Sequence, residues 1–196
     1  EFSPRDGSLA QIKDLKTGDE WLSPGIARRL VKLIQRTPEK SSNILLSNEA
    51  GPPEMRLRED TLTIQFPSLR DQGRETGIRV TVTVRLPAES SEAIFTVEVV
   101  NGSASPVVEI WFPFLAGRSA AAGGEDVFTT SRGIERGLYG KFTHGTFDTH
   151  AFGNHLQRIG LSSGSLLPLM DLSTAHGGLS YIKYEKRPRP TDFVYE

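Results

Sequence analysis

An antiparallel all-β sandwich is predicted for this chain on three observations. Apolar residues recur at every second position in several segments, and turn-forming residues separate those segments at short intervals. No stretch shows the strand–helix alternation that marks a parallel sheet. At 196 residues, with 37% hydrophobic and 24% charged content, the chain is large enough for one domain with a substantial core. About nine to twelve strands are expected at spacings that suit a sandwich.

Taken in order, Phe2 to Leu22 reads as two strands about a turn. Leu9 and Ile12 precede Lys16-Thr-Gly-Asp19, and Trp21-Leu22 follow it. Two readings stand for residues 24–35. Ser23-Pro24 resembles a helix start, with Ile26, Leu30 and Leu33-Ile34 at helical spacing; the other reading is a strand near Leu30 to Gln35. Arg56-Leu-Arg58 and Thr61 to Phe66 flank Glu59-Asp60 as a hairpin. The clearest pattern is Ile78, Val80, Val82, Val84 and Leu86 against Arg79, Thr81, Thr83 and Arg85, closed by Pro87. This predicts a half-buried strand with the valines facing inward. Ala93, Phe95, Val97 and Val99 repeat the pattern, Asn101-Gly102 supplies a turn, and Val108, Ile110 and Phe112 resume it before Pro113.

Residues 116–164 read differently. Glycines are frequent, three of the four histidines fall here, and the alternation fades. The segment is expected to be one long irregular surface excursion, since loops of this length carry function or dock on something. Gly164 to Leu172 and Gly177 to Tyr184 form a second strand–turn–strand pair, and a basic, proline-broken stretch runs from Lys186 to Pro190. No linker composition divides the chain, so 1–196 is expected to be a single domain with 186–196 as an outgoing tail.

Basic and acidic residues number 23 and 24, which gives no field for nucleic acid or an anionic membrane. No apolar run reaches the eighteen or so residues of a spanning helix. The absence of cysteine excludes disulfides and thiolate metal sites and leaves the compartment open. The chain starts with Glu rather than Met, and is expected to derive from a longer polypeptide.

Few constellations suggest chemistry. His144, Asp148 and His150, with His155, have ligand character, but no standard metal spacing is matched and no metal is expected. They read instead as a polar loop or interface, or as sugar contacts. Trp111, Arg118 and Tyr139 join His144, Asp148 and His150 as candidates for carbohydrate or interface contact, because flat aromatic faces suit sugar rings. The competing reading of Trp111 places it at a sheet edge or boundary while Phe112 faces the core. Glu125-Asp126, Glu135 and Asp171 are scattered and give no assignable pair for glycoside hydrolysis. Asn101-Gly-Ser103 matches a glycosylation acceptor. No phosphate-binding glycine loop or nucleophile elbow is present.

Two segments add a further reading. The opening runs F-x-P-x-x-G-x-L-x-x-I-x-D-x-x-T-G-x-E-W-L over Phe2 to Leu22, and the later one carries Leu169-Met-Asp-Leu172 and Gly177-Gly-Leu-Ser-Tyr181. Together they resemble the N-terminal β-supersandwich (galactose-mutarotase-like) domain of large bacterial glycoside hydrolases. Where such domains tend to carry His-Asp after the second motif, this chain has Tyr184-Glu185. The resemblance implies a domain without catalytic residues or cofactor of its own, whose partner is a following (β/α)-barrel of the same polypeptide, with carbohydrate as a second partner. It implies a structural acceptor role for Asp171, and it is what implies a strand near Leu30 to Gln35. The alternatives are a free-standing carbohydrate-binding module, which needs an exposed aromatic platform, and a sugar mutarotase, which needs a carboxylate and histidines around one cleft.

Overall fold

The computed structural model describes residues 1–18, 20, 22, 29–40 and 42–113, together with the strands 125–130, 133–136, 157–159, 169–174, 177–182 and 193–195. The chain divides into two compact units, Glu1–Arg118 and Ser119–Glu196.

The first unit is an antiparallel sandwich. One sheet joins β1 (Lys32–Gln35), β2 (Asn43–Leu46) and β9 (Val107–Trp111) in the order β2-β1-β9. The other joins β3 (Glu54–Arg58), β4 (Thr61–Phe66), β7 (Ile78–Arg85) and β8 (Ile94–Asn101) in the order β3-β4-β7-β8. A small hairpin of β5 (Arg70–Asp71) and β6 (Arg74–Glu75) connects β4 to β7. A single 3-10 turn, Ser47–Glu49, is the one helical element among the described residues.

One core unites the two sheets. Leu33 and Leu45 from the first cluster with Ile64, Phe66, Ile78, Val80, Val82 and Val84 from the second. The alternation in β7 is borne out, with every apolar residue from Ile78 to Val84 buried, although the strand ends at Arg85 and leaves Leu86 exposed. Register aligns the inward residues into rows: Met55, Ile64, Val82 and Val97 in one, and Leu62, Val84 and Phe95 in the next, where Leu57 at the β3 edge shares their parity but stays exposed. Burying a valine or isoleucine in such a row stabilises by roughly 1.5–3 kcal/mol.

Lys32–Gln35 is a strand, which resolves that part of the ambiguous 24–35 stretch; residues 23–28, including Ile26, lie outside those described. β1 is buried along most of both faces, so its residues Lys32-Leu-Ile-Gln35 show no apolar–polar alternation, and the helical spacing was not contradicted by a period of two. Ser47 fixes its entry. The buried hydroxyl accepts hydrogen bonds from the backbone N–H of Leu30 and of Val31, each at 3.0 Å, and Ser47 N–H donates to the Val31 carbonyl.

The expected inward run of Val108, Ile110 and Phe112 is corrected at its first two members. Pairing of β9 with β1 shifts at Ile34/Gln35, so Val107 packs on the core and Val108 does not. Ile110 is on the core-side parity but stands at the open edge of the sheet, half exposed. Phe112 does pack on the core, edge-on to Phe95 with ring centroids 6.3 Å apart.

The second unit contains a four-stranded antiparallel sheet ordered β11-β10-β13-β14, from β10 (Glu125–Thr130), β11 (Gly133–Arg136), β13 (Leu169–Thr174) and β14 (Gly177–Ile182). β12 (Gln157–Ile159) pairs β15 (Phe193–Tyr195). The late strand–turn–strand motif is therefore the β13–β14 hairpin, with Asp171 between Val127 and Ser180 in register. Three strands, β10, β11 and β12, lie within the stretch expected to be irregular. Backbone pairing does not require apolar alternation, and these segments lack it.

Candidate functional site

Of the six candidate residues, Trp111 is described; Arg118, Tyr139, His144, Asp148 and His150 lie outside the described residues, as does Trp21. Trp111 ends β9 directly opposite Lys32 on β1. Cross-strand neighbours share a face, and the Lys32 Nζ lies 3.7 Å from the centroid of the indole ring. Two residues earlier on the same face of β9, Glu109 accepts a 2.8 Å hydrogen bond from Trp111 Nε1–H.

Sequence reading missed Lys32 and Glu109. Lys32 is only 3% exposed and Trp111 only 9%. Burying an ammonium is costly, and the negative face of an indole offsets part of that cost. A lysine inside the apolar run Leu30-Val-Lys-Leu-Ile34 was the available signal. Chemically, the cluster holds a cation, an indole and a carboxylate in fixed relation. One ring face is taken by the ammonium and the ring edge is committed to Glu109, so this tryptophan is a clamp between β1 and β9 rather than an open sugar platform.

The other described aromatic side chains are also turned inward. Phe66 is fully buried, and Phe2, Phe95 and Phe112 pack on the core. The outward face of the four-stranded sheet bears Glu54, Arg56, Arg58, Thr61, Thr63, Gln65, Arg79, Thr81, Thr83, Arg85, Thr96 and Glu98, with Ile94 and Val100 at its β8 edge. A shallow polar groove lies over its β3–β4 side. No group of three or more metal-ligating side chains occurs among the described residues. Nor is any helix among them long and apolar enough to cross a membrane.

Much of the opening motif has a structural explanation among the described residues. Phe2 and Leu9 form a bridge around a tight turn in which Gly7 N–H donates to the Ser3 carbonyl. Gly7 has φ of +66°, and a Cβ there would come within 2.6 Å of the Phe66 ring. Asp6 closes the turn by accepting from the Ser8 hydroxyl and backbone N–H. Burial pushes the Asp6 carboxyl up, but these bonds, with those from Ser3 and Arg5, outweigh it and hold the group below its ordinary value. Further on, Asp14 accepts from the N–H of Lys16 and Thr17, Gly18 takes φ of +82°, and Lys13 bridges Glu20. Glu20 in turn accepts from Gln11, Ile12 and Leu22. Leu9 and Leu22 are buried.

The Asn101-Gly-Ser103 triplet is likewise built into a turn. Asn101 Nδ2 donates to the Ser105 carbonyl at 2.8 Å while its Oδ1 accepts from Ser103, and Gln35 reaches across to Ser103 and Ser105. The amide nitrogen that glycosylation would modify is thus committed internally.

No protein-family model matches the sequence, and no curated protein is significantly similar to it.

Proposed function

We propose that the chain is a non-catalytic β-sandwich domain of a carbohydrate-active enzyme, a glycoside hydrolase, which packs against a following catalytic barrel and helps to shape its cleft. The observation that carries this reading over a free-standing carbohydrate-binding module is the disposition of the described aromatic side chains, every one of them buried or packed on the core. A sugar-binding sheet needs a flat ring open to solvent. Apolar surface is exposed instead on the three-stranded sheet, where Ile44, Val108 and Ile110 are 43–50% accessible, which suits protein contact. The two end motifs and their resemblance to accessory domains of bacterial glycoside hydrolases supply the partner.

Affinity electrophoresis of the pure chain in polysaccharide gels, run beside aryl-glycoside hydrolysis and glucose mutarotation assays, tests the proposal. The expected result is unretarded migration and no turnover. Retardation by a polysaccharide would favour the binding module, and turnover abolished by His144→Ala or Glu135→Ala would favour an enzyme.

A further inference from the structure

The outward face of the four-stranded sheet carries only threonine, arginine, glutamine and glutamate on β3, β4 and β7. Its two apolar residues, Ile94 and Val100, both lie on β8 and are 39% and 44% exposed. Among the described residues β8 is also an edge strand. It pairs β7 without interruption over all eight residues, and has no proline, lysine or bulge along that length. Natural sheets normally protect such an edge, because its outward N–H and C=O groups form a template for another strand.

We infer that the partner of this edge is a second copy of the same strand, joined about a two-fold axis through Val97 into one continuous antiparallel sheet. The register selects this occupant. In a continuous sheet, opposed residues share a face, so inward Phe95, Val97 and Val99 must meet inward residues of the other copy. Centring the axis on Val97 opposes Val97 to itself, Phe95 to Val99, Thr96 to Glu98 and Ile94 to Val100. The two outward apolar side chains then cover each other, and no like charges face one another. Moving the axis to Glu98 opposes Glu98 to itself and Phe95 to Asn101. Moving it to Thr96 shortens the pairing to five residues and sets Ile94 against Glu98. An axis between two residues would turn inward positions against outward ones. A two-fold contact must be self-complementary, and the Val97-centred register alone meets that condition along the strand.

A single edge-to-edge pairing is small, so the dimer is weak and concentration-dependent. Sedimentation equilibrium of the full chain tests it with a charge pair on the exposed face. Thr96→Lys opposes a lysine to Glu98 twice per dimer and should tighten association several-fold, whereas Thr96→Glu should weaken it several-fold. Because the chain has no cysteine, oxidative cross-linking reads the register directly. The Val97→Cys variant is expected to give a covalent dimer far more readily than Glu98→Cys, with circular dichroism confirming that both are folded. A chain that stays monomeric up to about 1 mM, both Thr96 variants shifting association in the same direction, or faster cross-linking by Glu98→Cys would overturn the inference. So would an edge occupied by a strand of a different protein, seen as cross-linking of Val97→Cys to that protein rather than to itself.

Discussion

The two sheets of the first unit treat their non-core faces differently. The four-stranded sheet turns a polar face to water, so β7 alternates valine with threonine and arginine. The three-stranded sheet covers both faces over much of β1, where Lys32, Leu33 and Gln35 are all buried. A strand with one wet face announces itself by period two; a strand buried on both faces, as β1 largely is, loses that period, and its spacing is not separated from a helix. The buried Lys32 exists because of this second arrangement. Its ammonium is placed on the side away from the core and lies against Trp111.

The two faces of β7 should differ sharply in their tolerance of charge. Val82→Lys places a charge in the shared core and is expected to cost about 4 kcal/mol or more, enough to threaten folding. Thr83→Lys, on the outward face, is expected to cost less than about 1 kcal/mol. Urea denaturation of the two variants checks this, and comparable losses would mean that the outward face is covered as well.

A double-mutant cycle sharpens the account of the other sheet. Trp111→Ala removes a buried indole and is expected to cost roughly 3–5 kcal/mol. Lys32→Met keeps the aliphatic bulk and removes the charge, with a change within about 1 kcal/mol in either direction, because replacing a buried charge by a matched apolar group is often near neutral. The coupling between the two sites should be about 0.5–2 kcal/mol. Additive losses would mean that the ammonium gains nothing from the ring.

How far the sequence disclosed the structure follows the same division. The β3–β4 hairpin and the inward rows of β7 and β8 were legible, since alternation and turn residues report directly on a half-buried antiparallel pair. The Lys32–Trp111–Glu109 cluster was legible only as a lone tryptophan. Lys32 comes from another strand, β1, which carried no period-two signal, and Glu109 stands two residues before Trp111 as an ordinary outward carboxylate. In β9 the shift at Ile34/Gln35 exchanged the roles of Val107 and Val108, which spacing alone does not reveal. The opening motif was recognisable from its wording, yet the use of Gly7 depends on Phe66, distant in sequence.

That dependence gives a smaller effect. Gly7→Ala is expected to cost about 2 kcal/mol in thermal or chemical denaturation, from a positive φ and a contact with a fully buried ring. The smallest expected effect is acid sensitivity at the neighbouring turn. The folded Asp6 value is lowered, so its contribution is fully present above the unfolded-state value. It is lost as pH falls through the folded one, below about pH 4. Asp6→Asn should therefore flatten the acid limb of the stability profile slightly and leave its slope near neutrality unchanged.

Amide hydrogen exchange distinguishes the proposed packing against a following domain from sugar binding. The chain alone and the chain joined to the polypeptide encoded after Glu196 are to be compared. The expected result is a βα-repeating continuation whose presence slows exchange around Ile44, Val108 and Ile110, while the outward face of the four-stranded sheet, probed at Thr63, Thr81 and Thr83, is unchanged. A coding sequence that stops at Glu196, or identical exchange around those three apolar residues in both proteins, would contradict it.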